Sequence, residues 1–530
     1  MEFWHWRLIH SRPIPFKNNI PSPLRARLLI NSGILVSRII NIENVYFSYS
    51  NEKKWALENI SLSVKRGEFL VVMGETGAGK TTFCKLINGI VPQLSGGRFL
   101  GTVTVDGEST TEVPVPRLAL NVGMTFDDPD AQLFTSSVRH EAAFGPENLL
   151  LPPLEIERRV NLALEAVGLS GFEERSPMTL SGGEKQRLAI AAALAMAGKI
   201  LVLDEPQARL DPQGAAEVMS VIGEIRRKYQ ITVIMATNSS KRVCEFADRV
   251  CILKNGSIAA LDTAQAIVSN RRLLDENGIE PPAEPDIFSV FPLDKGERGN
   301  KTGTPSVEIS GFYHKYADSG AGIENINLSV ADNDFIAITG HNGCGKTTLL
   351  KNIAGLIRPA AGDIFIRGKN SKELTVSAIS KEVGFVMQNP ETQLFTDSVY
   401  REVSFSLERA GLPKAEIKSR VEEALRIVEL DNPGAFPHAL RRADRTKAVI
   451  ACILAMGCKI IIFDEVDIGQ DYKGSIKIMN IAKDLHSRGF TIIFVTHNIS
   501  LVCKYAHRLV KMDRKGIIMD RRRRDNQHEK

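Results

Sequence analysis

The sequence predicts an α/β fold laid down twice along one chain of 530 residues. Three observations predict it. The first is a pair of G-x-x-x-x-G-K-[ST] elements, "GETGAGKT" at 74–81 and "GHNGCGKT" at 340–347, offset by 266. The second is a set of three further elements that recur in the same order. "TLSGGEKQRLA" at 179–189 returns as "ALRRADRTKAV" at 439–449, "LVLDEP" at 201–206 as "IIFDEV" at 461–466, and "MATNS" at 235–239 as "VTHNI" at 495–499, each read with an offset of 260. Four elements at a near-constant spacing mark a tandem duplication, and so long a period means two homologous domains rather than a solenoid. The third is the type of run that carries these elements. "KILVLDE", "ITVIMAT", "KIIIFDE" and "FTIIFVT" are short, continuous and β-branched, as expected of strands buried on both faces of a parallel sheet.

Composition narrows the class. With 43% hydrophobic and 24% charged residues the chain reads as a globular protein, long enough for several buried cores. The net charge of +5 comes from the first 42 residues, where Arg7, Arg12, Lys17, Arg25, Arg27 and Arg38 face Glu2 alone. The body is neutral, which argues against a broad electrostatic footprint for nucleic acid. Seven scattered cysteines without C-x-x-C spacing indicate neither a disulfide framework nor a zinc site, and fit a reducing compartment. The most apolar stretch, "LLINSGILVSRII" at 28–40, is broken by Asn31, Ser32, Gly33, Ser37 and Arg38, too short and too polar for a membrane span.

Taken in order, residues 1–37 form a basic leader expected to be disordered, and 38–280 the first domain. In that domain the apolar run "EFLVVMG" feeds the glycine loop, and helical spacing follows it, the strand–loop–helix context that phosphate binding requires. Leu154, Ile156, Val160, Leu162, Leu164, Val167 and Leu169 predict a helical insertion, with related patterning at 415–430. Residues 281–304, rich in Pro, Gly and charge, read as a linker; 305–520 form the second domain and 521–530, opening with "RRRR", a solvated basic tail.

The glycine loops carry the chemistry. A phosphate chain needs backbone N–H donors at close range, which glycine permits. The first loop is Gly74, Glu75, Thr76, Gly77, Ala78, Gly79, Lys80, Thr81 and Thr82; the second is Gly340, His341, Asn342, Gly343, Cys344, Gly345, Lys346, Thr347 and Thr348. Lys80 and Lys346 are expected to reach the terminal phosphates, and Thr81 and Thr347 to ligate Mg²⁺. Asp204 and Asp464, ending apolar strands, read as Mg²⁺ partners, with Glu205 and Glu465 as general bases for an attacking water. Cys344 reads as a small residue tolerated in its loop, with oxidation sensitivity as the other reading.

"LSGGEKQRLAIAAALA" followed by "ILVLDEP" resembles the signature and Walker B of ATP-binding cassette (ABC) ATPases, over residues 38–280 and 305–520. The resemblance implies two P-loop NTPase domains, each a mostly parallel sheet with an antiparallel β edge and a helical subdomain. It also implies head-to-tail pairing of the two cassettes within one chain, each ATP lying between the P-loop of one and the signature of the other. Asp211 and Asp471 would stand in the D-loops. Tyr49 and Tyr316, shortly before their P-loops, are matched either by the aromatic that stacks on adenine or by an ordinary buried strand tyrosine. The stretches 127–160 and 388–413 are similar to the ATPases of energy-coupling-factor importers of vitamins or transition-metal ions. That likeness implies a transmembrane coupling subunit and a substrate-binding membrane subunit as partners, no nucleic acid, and a peripheral place on the cytoplasmic face of the membrane. A soluble twin-cassette ATPase acting on ribosomes or nucleic acid is the alternative, and the acidic balance of 265–306, five basic against seven acidic residues, disfavours it. Export and the transported solute stay open.

Crosswise pairing makes the two sites unequal. Site two combines Gly340–Thr348, Gln388, Asp464, Glu465 and His497 with Ser181, Gly182 and Gly183 of the first half, every family position filled; Gln388 is also expected near the metal. Site one combines Gly74–Thr82, Asp204 and Glu205 with Leu440–Arg441–Arg442–Ala443–Asp444, while Asp127 replaces the glutamine and Asn238 the histidine. Losing one preorganised donor costs ~3–4 kcal/mol of transition-state stabilisation, and each ~1.4 kcal/mol is tenfold in rate. Site two is therefore expected to turn over and site one to hold ATP, unless "LRRAD" is simple drift in a duplicate.

Overall fold

The computed structural model describes residues 38–50, 52–208, 210, 212–282, 286–292, 304–315, 322–468, 470–513 and 516–523. The leader, Tyr316, Asp211 and the end of the basic tail lie outside the described residues.

Each half builds the same pair of sheets. In the first, a six-stranded sheet runs in the order Ser257–Thr263, Arg249–Lys254, Phe69–Met73, Thr232–Thr237, Ile200–Asp204, Val122–Thr125. All its pairings are parallel except that of the edge strand Ser257–Thr263. A four-stranded antiparallel sheet, built around Arg38–Ser48 and Leu57–Lys65, lies beside it. The second half repeats the order with Val383–Val386, Ile460–Asp464, Thr491–Val495, Phe335–Gly340, Arg508–Asp513 and Gly516–Arg522. The expected two-domain α/β architecture with an antiparallel edge is what forms. The central strands Phe69–Met73, Ile200–Asp204 and Ile460–Asp464 are buried at every position, which is why their sequences show no alternation.

The helical insertion appears as Val138–Asn148 and Pro153–Ala166, repeated as Val399–Arg409 and Lys414–Ile427. Val160, Ala163 and Leu164, and their counterparts Val421, Ala424 and Leu425, turn inward onto the signature helices Gly182–Ala195 and Arg442–Met456.

Three details differ from the sequence reading. Strand pairing sets Asp204 beside Ala236 and Asp464 beside Val495, so the last repeated element is offset by 259, not 260. Asn238 and His497 are therefore equivalent. The chain is one residue shorter between Asp464 and Thr491 than between Asp204 and Thr232, and periodicity does not register a single residue lost in a helix–strand turn. Within the stretch read as a linker, Asp286 caps the short helix Ile287–Val290, and Phe291 is fully buried in the core of the second half. Finally, Arg521 and Arg522 belong to the edge strand Gly516–Arg522 rather than to a free tail, and Arg522 donates to Asp334 at 3.3 Å.

Candidate nucleotide sites

Each glycine loop leaves a central strand and enters a helix, Phe69–Met73 into Lys80–Ile87 and Phe335–Gly340 into Lys346–Ile353. The turn needs glycine at its first position: Gly74 has φ 155°, and a Cβ there would lie 2.3 Å from the Leu253 carbonyl oxygen. Gly77 and Gly343, with φ of 81° and 74°, face open space, a cradle that any side chain would fill. Lys80 and Lys346 are buried and fold back over their loops. Lys80 Nζ donates to the Gly74 and Glu75 carbonyls at 2.8 and 3.3 Å, and Lys346 Nζ to those of Gly340 and His341 at 2.9 and 3.2 Å.

Behind the second loop the expected residues converge. Glu465 Oε1 lies 3.2 Å from His497 Nε2 and 3.6 Å from Lys346 Nζ, and Gln388 Nε2 donates to its other oxygen at 3.4 Å. Thr347 Oγ1 donates to Asp464 Oδ1 at 3.1 Å. Burial pushes Glu465 upward, but the His497 hydrogen bond and the charge of Lys346 outweigh it, and its carboxyl stays below the usual range. Burial, with the charge of Glu465 beside it, raises Asp464 to about 6.

Behind the first loop the same positions behave differently. Glu205 keeps the partner Lys80, at 3.3 Å, but has no imidazole. Only the backbone N–H of Asn238 reaches it, at 3.3 Å, while the Asn238 side chain donates across to the Gln470 carbonyl of the second half at 3.3 Å. Burial therefore prevails over the Lys80 charge and raises Glu205. The Asp204 carboxylate is buried, and burial raises it too, opposed by the Thr81 hydroxyl and reinforced by the charge of Asp127.

One cavity of about 1070 Å³ joins the halves at site one. Its wall includes Tyr49, the loop residues Gly77–Thr82 except Ala78, Asp127 and Glu205, faced by Arg441, Arg442 and His497. The expected crosswise contact is present here. Asp471 Oδ2 accepts the Thr76 N–H at 2.7 Å, Lys473 pairs with Glu75 at 3.0 Å, and Asn498 Nδ2 donates to Glu280 at 2.9 Å. In the first signature Ser181 caps Gly182–Ala195 in a capping box with Glu184, and Ser181 and Gly182 are exposed with Gly183 half-buried. The equivalent Arg441 makes no side-chain cap.

Tyr49 is half-buried, sits edge-on to Phe47 and lies 3.1 Å from the Thr82 hydroxyl, so it stands at the cavity wall rather than inside the core. Cys344 is buried, and burial raises its thiol, which leaves little thiolate for oxidation. Sequence reasoning missed Glu75–Lys473 and Gln470, since each acquires its role only when the halves meet. Asp471, in the D-loop, was the one signal pointing to them.

Residues 57–208 and 323–467, more than half of the chain, match the family described as ABC transporter. The chain belongs to the ABC transporter ATPases. It carries two of their cassettes, and it binds and hydrolyses ATP. A provisionally named ABC transporter ATP-binding protein of Caldanaerobacter subterraneus is 34% identical over 90% of both chains. One from Methanosarcina acetivorans is 36% identical over 91% of this chain and 85% of its own. Among solved structures, cbiO1 of Clostridium perfringens, part of the ABC transporter complex cbiONQ, is 32% identical over 45% of this ABC ATPase and 94% of that chain, with a TM-score of 0.41.

Proposed function

We propose that this ABC ATPase hydrolyses ATP where its second P-loop meets its first signature, holds ATP at the other site, and drives an importer of the energy-coupling-factor type. The observation that carries the asymmetry is the contact of His497 and Gln388 with Glu465, against Asn238 turned away from Glu205.

In this reading Glu465, kept ionised by His497 and Lys346, accepts the proton of the attacking water. Gln388 orients that water, and His497 and Lys346 face the terminal phosphate. Ser181 and the N-terminal amides of its helix, with Gly183, close the phosphate from the other half. The buried Asp204 carboxylate beside Thr81 and the Thr347–Asp464 pair suit a hard divalent cation, and Thr81, Asp204, Thr347, Asp464 and Gln388 are the residues that would hold Mg²⁺. Mg²⁺ would supply charge neutralisation of the phosphates. At site one Arg441 offers a guanidinium where Ser181 offers a hydroxyl, enough to bind phosphate but not to reproduce a preorganised N-terminus.

A membrane partner accounts for a repeated apolar face. Phe134, 67% exposed, stands edge-on to Phe144, and Phe395, 65% exposed, edge-on to Phe405, both pairs at 4.9 Å. Monomer surfaces rarely keep such patches uncovered. No helix among the described residues is long and apolar enough to cross a membrane. In this reading transmembrane and substrate-binding subunits carry the solute, with this chain on the cytoplasmic face. Phe134→Asp with Phe395→Asp is expected to release the protein from membranes carrying its partner while leaving basal ATPase activity intact; continued membrane retention contradicts the docking assignment. Glu465→Gln should abolish steady turnover and Glu205→Gln barely change it, and equal losses contradict the asymmetry.

A further inference from the structure

The second signature is more than a damaged copy of the first. Arg442 occupies the position of Gly182, and its Nη2 donates to the Gln388 carbonyl oxygen at 2.6 Å. The side chain of that same Gln388 reaches Glu465. Gln388 is exposed, just beyond the strand Val383–Val386, so its orientation depends on what holds its backbone. The first half cannot form this bond, because Gly182 has no side chain, and there Asp127 stands in place of the glutamine. The two departures go together: the half with an arginine in its signature is the half that keeps the glutamine.

A neighbouring tie is common to both halves and so is not the distinguishing one. Arg445 pairs with Glu391 as Lys185 pairs with Asp130. Arg445 also donates to the Leu440 and His438 carbonyls, both at 2.8 Å, which stiffens the turn from which Arg442 projects.

We propose that Arg442 is a positioning residue for ATP hydrolysis at the second P-loop, holding the Gln388 backbone so that its side chain stays on Glu465. The proposal rests on the assignment of turnover to that P-loop. Arg442 also lines the cavity over the first P-loop, so one guanidinium stands between the site that holds nucleotide and the site that consumes it.

The test uses the full chain and steady-state ATPase kinetics with melting temperature as a control. Arg442→Gly is expected to lower kcat about tenfold, the loss of one charge-assisted hydrogen bond, with KM and melting temperature nearly unchanged. Arg442→Lys, whose ammonium can donate to the same carbonyl, should restore most of kcat. In a Gln388→Ala background Arg442→Gly should add little, because the side chain it positions is gone. An unchanged kcat in Arg442→Gly, no rescue by lysine, or full additivity with Gln388→Ala overturns the proposal. If Glu205→Gln rather than Glu465→Gln abolishes turnover, the site assignment has failed. If Glu465→Gln is inactive and Arg442→Gly behaves like the natural protein, the role of Arg442 alone has failed.

Discussion

Ser181→Arg places in the first signature the residue that the second already has, and its effect should appear at a P-loop in the other half of the chain. The fold has a ready precedent for it, since Arg441 stands at the same position of Arg442–Met456 without a side-chain cap. Ser181 Oγ accepts the Glu184 N–H at 3.4 Å and Glu184 accepts the Ser181 N–H at 2.7 Å. Losing this capping box costs about 1 kcal/mol of stability, a small shift in melting temperature for a chain of this size. Losing a preorganised donor to the terminal phosphate costs ~3–4 kcal/mol of transition-state stabilisation, a fall of roughly 10²–10³ in kcat. Phosphate release under saturating ATP measures the second effect and thermal unfolding the first. ATP retained at the first P-loop should not change. A folded Ser181→Arg protein that turns over within about threefold of the natural one would refute crosswise catalysis, because a drop of even ~1.4 kcal/mol is tenfold.

Asp467 accepts a 2.7 Å hydrogen bond from Thr496, and burial raises its carboxyl from 3.8 to about 6. Because the folded state binds this proton more tightly than the unfolded one, stability falls as pH rises through that window, by up to about 3 kcal/mol. Asp467→Asn should therefore stabilise the protein at pH 7.5 and leave it unchanged below pH 4 in urea titrations; an equal effect at both contradicts the shift. Gly77→Ala meets no atom within 4 Å, so the left-handed φ of 81° costs only ~1–2 kcal/mol, yet the methyl fills the phosphate cradle. ATP retention at site one should be lost with the fold intact, and unaltered retention would show that the cradle lies elsewhere.

Much of this was legible in the sequence because the central strands announce themselves. Ile200–Asp204 and Ile460–Asp464 are apolar throughout and end in a carboxylate, and the glycine loops sit where a strand must turn. The convergence of Lys346, Asp464, Glu465 and His497 follows from adjacent parallel strands whose C-terminal ends meet at one edge. What escaped depends on tertiary placement. Nothing in "LRRAD" says that both arginines line the cavity while Arg442 also reaches the Gln388 carbonyl, because the direction of a long side chain is decided by what packs around it. The Glu75–Lys473 pair joins residues almost 400 positions apart in a chain whose halves had first to be docked. The burial of Phe291 was hidden by the prolines and charges around it.

The unequal division of labour is tested most directly by a nucleotide chase. The protein is loaded with labelled ATP, allowed many turnovers in excess unlabelled ATP with Mg²⁺, then separated and its bound nucleotide identified. One labelled, intact ATP per chain should survive, and Lys80→Ala should abolish it while Lys346→Ala should not. Complete exchange or conversion of all label to ADP, with both P-loops contributing alike, would contradict the account.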